Sequence, residues 1–230
     1  MAAFTVLNQP GSLPIIRTRL IGREAEIALG RAFLLDDAVP LLTVTGPGGV
    51  GKTRLALAIA EHVAAAFSDG VVWVDLAPLA DPTLIPATVA AALGFVSVPD
   101  RSLVEELAHF LRPRQTLLLL DNCEHVLSGA ADLAATLLAA CPAVQMLATS
   151  RATLRLRGEQ LLPLDPLPLP PGGDAPLSDL EGNPAVRLFL ARGRAARPAF
   201  ALTAANAPAV AHICRDRWTR SPAASARCSA

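Results

Sequence analysis

Three stretches of the sequence combine residue types that act on phosphate. In Gly46-Pro47-Gly48-Gly49-Val50-Gly51-Lys52-Thr53 four free positions separate a Gly from Gly-Lys-Thr, the spacing of a loop that cradles phosphates. Glycines let such a loop wrap with its N–H groups inward, and a helix starting at its end adds partial positive charge where a polyphosphate lies. Lys52, the only lysine in the chain, is a point charge for β- and γ-phosphates. The Thr53 hydroxyl is placed to ligate Mg²⁺. The second stretch is Leu117-Leu118-Leu119-Leu120-Asp121-Asn122, an apolar run ending in an acid; the third is Ala148-Thr149-Ser150-Arg151, which ends in a cation. A carboxylate at the end of a buried strand beside a phosphate loop holds Mg²⁺, usually through water. An arginine at the next strand end senses a γ-phosphate. The plainer alternatives are an acid that only caps the following helix and a surface arginine.

These residues act together only if the elements around them are right. Leu41-Leu42-Thr43-Val44-Thr45 reads as a buried strand leading into the loop, and residues 54–63 follow with helical periodicity. Val71 to Leu76 reads as a second strand, Gln115 to Leu120 as a third that is apolar on both faces, Val144 to Thr149 as a fourth, and Leu156 to Leu164 as an edge-like fifth. Between them, Asp81-Pro82 starts a helix through about Leu93, Ser102 with Glu105 forms a capping box for one ending near Arg112, and another runs over 130–140. Upstream, an amphipathic helix covers 25–35. Downstream, Asn183-Pro184 opens a helix over 185–192, and Thr203 with Asn206 opens one through about Cys214.

The expected fold is α/β: a five-stranded parallel sheet flanked by helices, followed by the start of a small helical lid. The divisions expected are an arm over 1–19, a nucleotide-binding domain over 20–171, a linker over 172–182, a partial lid over 183–215, and an atypical, disordered tail over 216–230. Composition limits what else the chain does. It is 52% hydrophobic with a formal net charge of zero, so no basic field argues for direct nucleic-acid or anionic-lipid binding. No apolar run reaches membrane-spanning length and the N-terminus lacks a signal-peptide pattern, which makes the cytoplasm the expected location. Four cysteines and four histidines are scattered without metal-ligand spacing, so buried thiols are expected, with no metal beyond nucleotide-bound Mg²⁺.

Ile21-Gly22-Arg23-Glu24, Gly46 to Thr53, Leu117 to His125, Ala148 to Arg151 and Asn183 to Phe189, in this order, resemble the STAND signal-transduction NTPases. The closest likeness is to the NB-ARC-like ATPase module of bacterial LuxR-type and AfsR-type transcriptional regulators, over roughly residues 14–215. The resemblance implies ADP held between sheet and lid at rest, Gly22, Arg23 and Glu24 against the base and sugar, Arg151 facing the γ-phosphate, and nucleotide-dependent self-association. Two departures stand out. Asn122 occupies the place where fast ATPases of the related AAA+ type carry a catalytic Glu, and Glu124 is not aimed at a water by anything in the sequence. Slow hydrolysis is therefore expected. After Arg215 the family's Leu-Asp-Gly-Leu-Pro-like segment is missing, but Trp218-Thr219 read one nucleotide earlier give Leu-Asp. The tail is expected to be the frameshifted end of a longer regulator, or else a disordered Arg/Ala/Ser extension. The resulting expectation is an ATP/ADP switch module. The alternatives are a free-standing ATPase and a truncated fragment without regulated function.

Overall fold

The computed structural model describes residues 11–36, 38–96, 101–172 and 176–219. Among them, β1 (Leu41–Thr45), β2 (Val71–Asp75), β3 (Leu117–Asp121), β4 (Gln145–Ser150) and β5 (Glu159–Pro163) form one sheet. All pairings are parallel and the order is β2-β3-β4-β1-β5. Parallel neighbours need crossovers, supplied by α2 (Lys52–Val63), α3 (Ile85–Ala92), α4 (Leu103–Leu111) and α5 (Leu127–Ala140), with α1 (Glu24–Leu34) ahead of β1. The chain leaves β1 and returns as β2 on the far side of β3 and β4. The C-terminal ends of β1, β4 and β3 therefore lie side by side, where ligands of open parallel sheets bind.

Burial follows from position in the sheet. Leu117, Leu118, Leu119 and Leu120 of the interior strand β3 are all buried, because helices cover a parallel sheet on both faces. At the edge, β5 buries Leu162 and exposes the residues beside it, and Pro163, which cannot donate to a ladder, is tolerated there. The other edge is β2, where the Trp73 N–H donates to the Gly11 carbonyl at 2.6 Å. The described part of the N-terminal arm thus covers an otherwise open strand edge. One apolar cluster joins Leu41, Leu118, Leu120 and Met146 of the strands to Ile85, Val89, Leu107, Leu111, Leu133 and Leu137 of the helices.

Helix starts are set locally. The Asp81 carboxylate accepts from the Thr83 N–H at 2.9 Å and begins the turn that leads into α3. Ser102 holds the N-cap position of α4 without a side-chain cap bond, so the expected capping box does not form; Glu105 and Glu106 instead place negative charge in the first turn.

The chain forms two compact units. One comprises Glu26–Gly46 and Gly51–Pro163 with the described part of Met1–Thr18; the other comprises Arg19–Ala25, Pro47–Val50 and the described part of Leu164–Ala230. This grouping is not the linear division at 171 expected from the sequence. The second unit holds α6 (Leu177–Gly182), α7 (Pro184–Ala196) and α8 (Ala207–Thr219). Helix α6 falls in the stretch expected to be linker, and its Leu180 is buried with Ala207 and Ala211 of α8. The Asn183 side chain caps α7, accepting from Ala185 N at 3.0 Å and Val186 N at 3.2 Å. Helix α8 continues through Thr219, past Arg215, where periodicity was expected to stop; the rest of the tail, with Cys228, lies outside the described residues. Among the described residues no helix is long and apolar enough to cross a membrane.

Candidate functional site

Residues 46–51 make the whole connection from β1 to α2. Gly49 (φ 77°) and Gly51 (φ 102°) adopt left-handed backbone angles, and a Cβ on either would meet nothing within 4 Å. Conformation, not crowding, therefore calls for glycine at both positions. Pro47, Gly48 and Val50 complete the loop. Lys52 opens α2, is buried, and donates from Nζ to the Gly46 carbonyl at 3.0 Å, so its ammonium folds back over the loop. Burial lowers its pKa below the usual lysine value; nearby Glu124 and Asp121 oppose that shift and Arg151 adds to it. A partly desolvated ammonium at the start of a helix is an anion site.

Asp121, at the end of β3, is only 2% exposed. Its Oδ1 accepts from the Thr53 hydroxyl at 2.8 Å and from the Thr149 hydroxyl at 2.5 Å. The Thr149 oxygen in turn accepts from the Asn122 N–H at 2.9 Å. Burial raises the Asp121 pKa; the two hydroxyl bonds oppose this, while Asp75 and Glu124 reinforce it. Asp75 is in register with Asp121 across β2 and β3. A desolvated carboxylate with a hydroxyl beside it is an all-oxygen donor set, which suits Mg²⁺. Among the described residues no group of three or more His, Cys, Asp or Glu could hold a metal. A cation here would complete its shell from phosphate and water.

Arg151 directly follows β4. Its Nε lies 3.2 Å from Glu124 Oε1, with the arginine side chain 62% exposed and the glutamate 11%. Glu124 arrives there because Asn122 turns left-handed (φ 62°, ψ 46°) and starts a single 3₁₀ turn over Cys123–His125. Lys52, Thr53, Asp121 and Arg151 are thus gathered in the first unit, as their spacing implied. Two residues that sequence reasoning did not assign join them. Thr149 is placed by the register of the sheet: Leu120 pairs with Ala148, so the next residue of β4 flanks the acid. Glu124 required the left-handed turn at Asn122, which no local pattern announces.

Gly22 and Arg23 lie in the second unit. A Cβ on Gly22 (φ 67°) would sit 2.5 Å from Pro184 Cβ, so only glycine permits that approach. Arg23 is buried and donates from Nη2 to the Asp165 carbonyl at 2.5 Å. Cys123, Cys141 and Cys214 are buried free thiols, and burial, helped by Asp121 and Glu124, pushes Cys123 up to about 12. Such a thiol is neither nucleophile nor ligand at neutral pH.

The NB-ARC domain matches residues 27–153. A putative HTH-type transcriptional regulator of Mycobacterium tuberculosis is 39% identical over 185 residues, covering 80% of this chain and 19% of that protein. The regulatory protein AfsR of Streptomyces griseus is 34% identical over 170 residues, covering 68% of this chain and 17% of that protein. The chain therefore spans about a fifth of the length of these relatives. Among solved structures, a signal transduction ATPase with numerous domains and a tetratricopeptide repeat sensor, from Pyrococcus horikoshii, superposes with a TM-score of 0.52 at 15% identity over 89% of this chain and 29% of that one. That likeness shows the fold.

Proposed function

The chain belongs to the NB-ARC domain family, and from that premise we propose that it is an ATP/ADP-binding switch module of a transcriptional or signalling regulator that hydrolyses ATP slowly with Mg²⁺. The observation that carries the reading is the single cluster of Lys52 folded over its loop, Thr53 and Thr149 on Asp121, and Arg151 at the adjacent strand end.

Lys52 and the loop N–H groups bind and orient the β- and γ-phosphates. Thr53 and Asp121 hold Mg²⁺, which when bound neutralises charge on the β- and γ-phosphate oxygens. Arg151 reads the γ-phosphate, and Thr149 keeps Asp121 oriented by spanning it to the Asn122 N–H. Gly22 and Arg23 contribute contacts to the base and sugar. Asn122, at the position next to the acid, supplies no carboxylate to take a proton from water, so turnover is expected below about 1 per second, an ordinary enzyme rate. ADP is the resting ligand, and exchange for ATP favours self-association in the cytoplasm. Faster turnover would favour a free-standing ATPase.

Calorimetric titration of the purified chain with MgATP and MgADP, beside Lys52→Ala, tests the reading. Binding lost in the variant supports it. A folded chain that takes up neither nucleotide would remove it and leave a fragment without switch function.

A further inference from the structure

The carboxylate of Glu124 is poorly provided for. Its side chain is 11% exposed and Oε1 has Arg151 at 3.2 Å, while Oε2 is buried with no hydrogen-bond partner. A buried charge in that state is costly unless its partner stays. The partner is a cation whose side chain is 62% exposed. Lys52, the other cation of the site, also feels Glu124. One buried anion therefore occupies a cation that a γ-phosphate needs, with a second cation of the site within its electrostatic reach.

We propose that Glu124 stands in for the γ-phosphate and thereby sets the preference of this site for ADP over ATP. The proposal rests on the nucleotide-binding reading above and adds a specificity-determining residue to it. ADP leaves the Glu124–Arg151 pair intact. ATP must take Arg151 away, and its γ-phosphate then lies near a carboxylate that has lost its partner. Both effects weaken ATP and spare ADP. No bond is made or broken in this exchange; it is a competition of two anions for one guanidinium.

Glu124→Gln keeps the shape and a hydrogen-bond acceptor while removing the charge. Affinities of the full chain for MgADP and for the Mg²⁺ complex of a non-hydrolysable β,γ-imido ATP analogue are measured by calorimetry. The variant is expected to raise the analogue's affinity relative to ADP by about tenfold, close to the lower end of what coupling between close charge pairs gives. A second variant reads the exchange from the other side. Arg151→Ala weakens the analogue, and weakens it more in the Glu124→Gln background than in the native chain, because in the native chain part of what Arg151 contributes to the γ-phosphate is offset by breaking its pair with Glu124. A merely structural Glu124 predicts neither result: the two affinities move together and the variants add. An analogue-to-ADP ratio within twofold of the native value in Glu124→Gln, with additive variants, overturns the proposal. A native chain that is folded and binds neither ligand overturns the nucleotide reading itself, so the two failures are distinguishable.

Discussion

The two units solve the problem of stability differently. In the sheet unit one apolar cluster runs without a break from Leu41 on β1, through β3 and β4, to the helices that carry the crossovers. Among the described residues of the helical unit, α6, α7 and α8 carry two small buried patches, Val186 with Leu190, Val210 and Cys214, and Leu180 with Ala207 and Ala211, joined at their margins by Leu202. Small cores leave little margin over conformational entropy. The sheet unit carries Thr53, Asp121 and Thr149, while α6 to α8, with smaller buried patches, are expected to exchange their amide hydrogens faster. The difference teaches where precision is needed: Thr53, Asp121 and Thr149 must hold positions to fractions of an ångström, and they stand on the large core.

The largest expected effect lies in the sheet. Leu118→Ala removes a fully buried side chain of β3 and should cost about 3 kcal/mol, read from the denaturant midpoint. A loss near zero would mean that the sheet core is not what holds this unit. Next, Asn183→Ala removes the two cap bonds of α7 and should cost about 1 kcal/mol, seen as faster hydrogen exchange in α7 with β3 and β4 unchanged. Equal acceleration in the strands would break the contrast between the units.

The smallest effect has the opposite sign and sits on the rim of the sheet. Asp121→Asn keeps an oxygen for the Thr53 and Thr149 hydroxyls and removes a desolvated charge. Without nucleotide it should stabilise the chain by roughly 1 kcal/mol. Because the folded pKa of Asp121 is raised, the native state binds its proton more readily than the unfolded chain does. The charge therefore costs stability in full above the folded pKa. That cost fades as pH falls through the folded pKa and is gone below the unfolded value. The advantage of Asn should shrink in parallel on acidification; a gain independent of pH would assign it to packing instead.

How much of this was legible in sequence depended on how local the cause is. The phosphate loop, the acid ending β3 and the Asn183 cap each rest on a few adjacent residues whose chemistry dictates the geometry, and each stands where its spacing put it. Thr149 as a partner of Asp121 depends on the register of β3 and β4, which is a tertiary fact. The approach of Glu124 to Arg151 depends on a left-handed residue that is not glycine. Ser102 shows the reverse error: a correct local pattern whose cap bond does not form. Helices α6 and the end of α8 were missed because a short Leu-containing turn between proline-rich stretches, and an Arg-rich helix end, carry weak periodicity. The order of α6 comes from Leu180, which is buried with Ala207 and Ala211.

The central claim is that Lys52 and its loop make this chain a nucleotide-binding module, and the most direct measurement is calorimetric binding of MgADP to the native chain and to Lys52→Ala, with circular dichroism confirming that both are folded. Removing one charged partner of a buried site costs about 2 to 5 kcal/mol, a loss of roughly 30-fold or more in affinity. The account predicts saturable binding by the native chain and a loss of at least that size in the variant. Equal binding by both folded chains, or none by either, would contradict it.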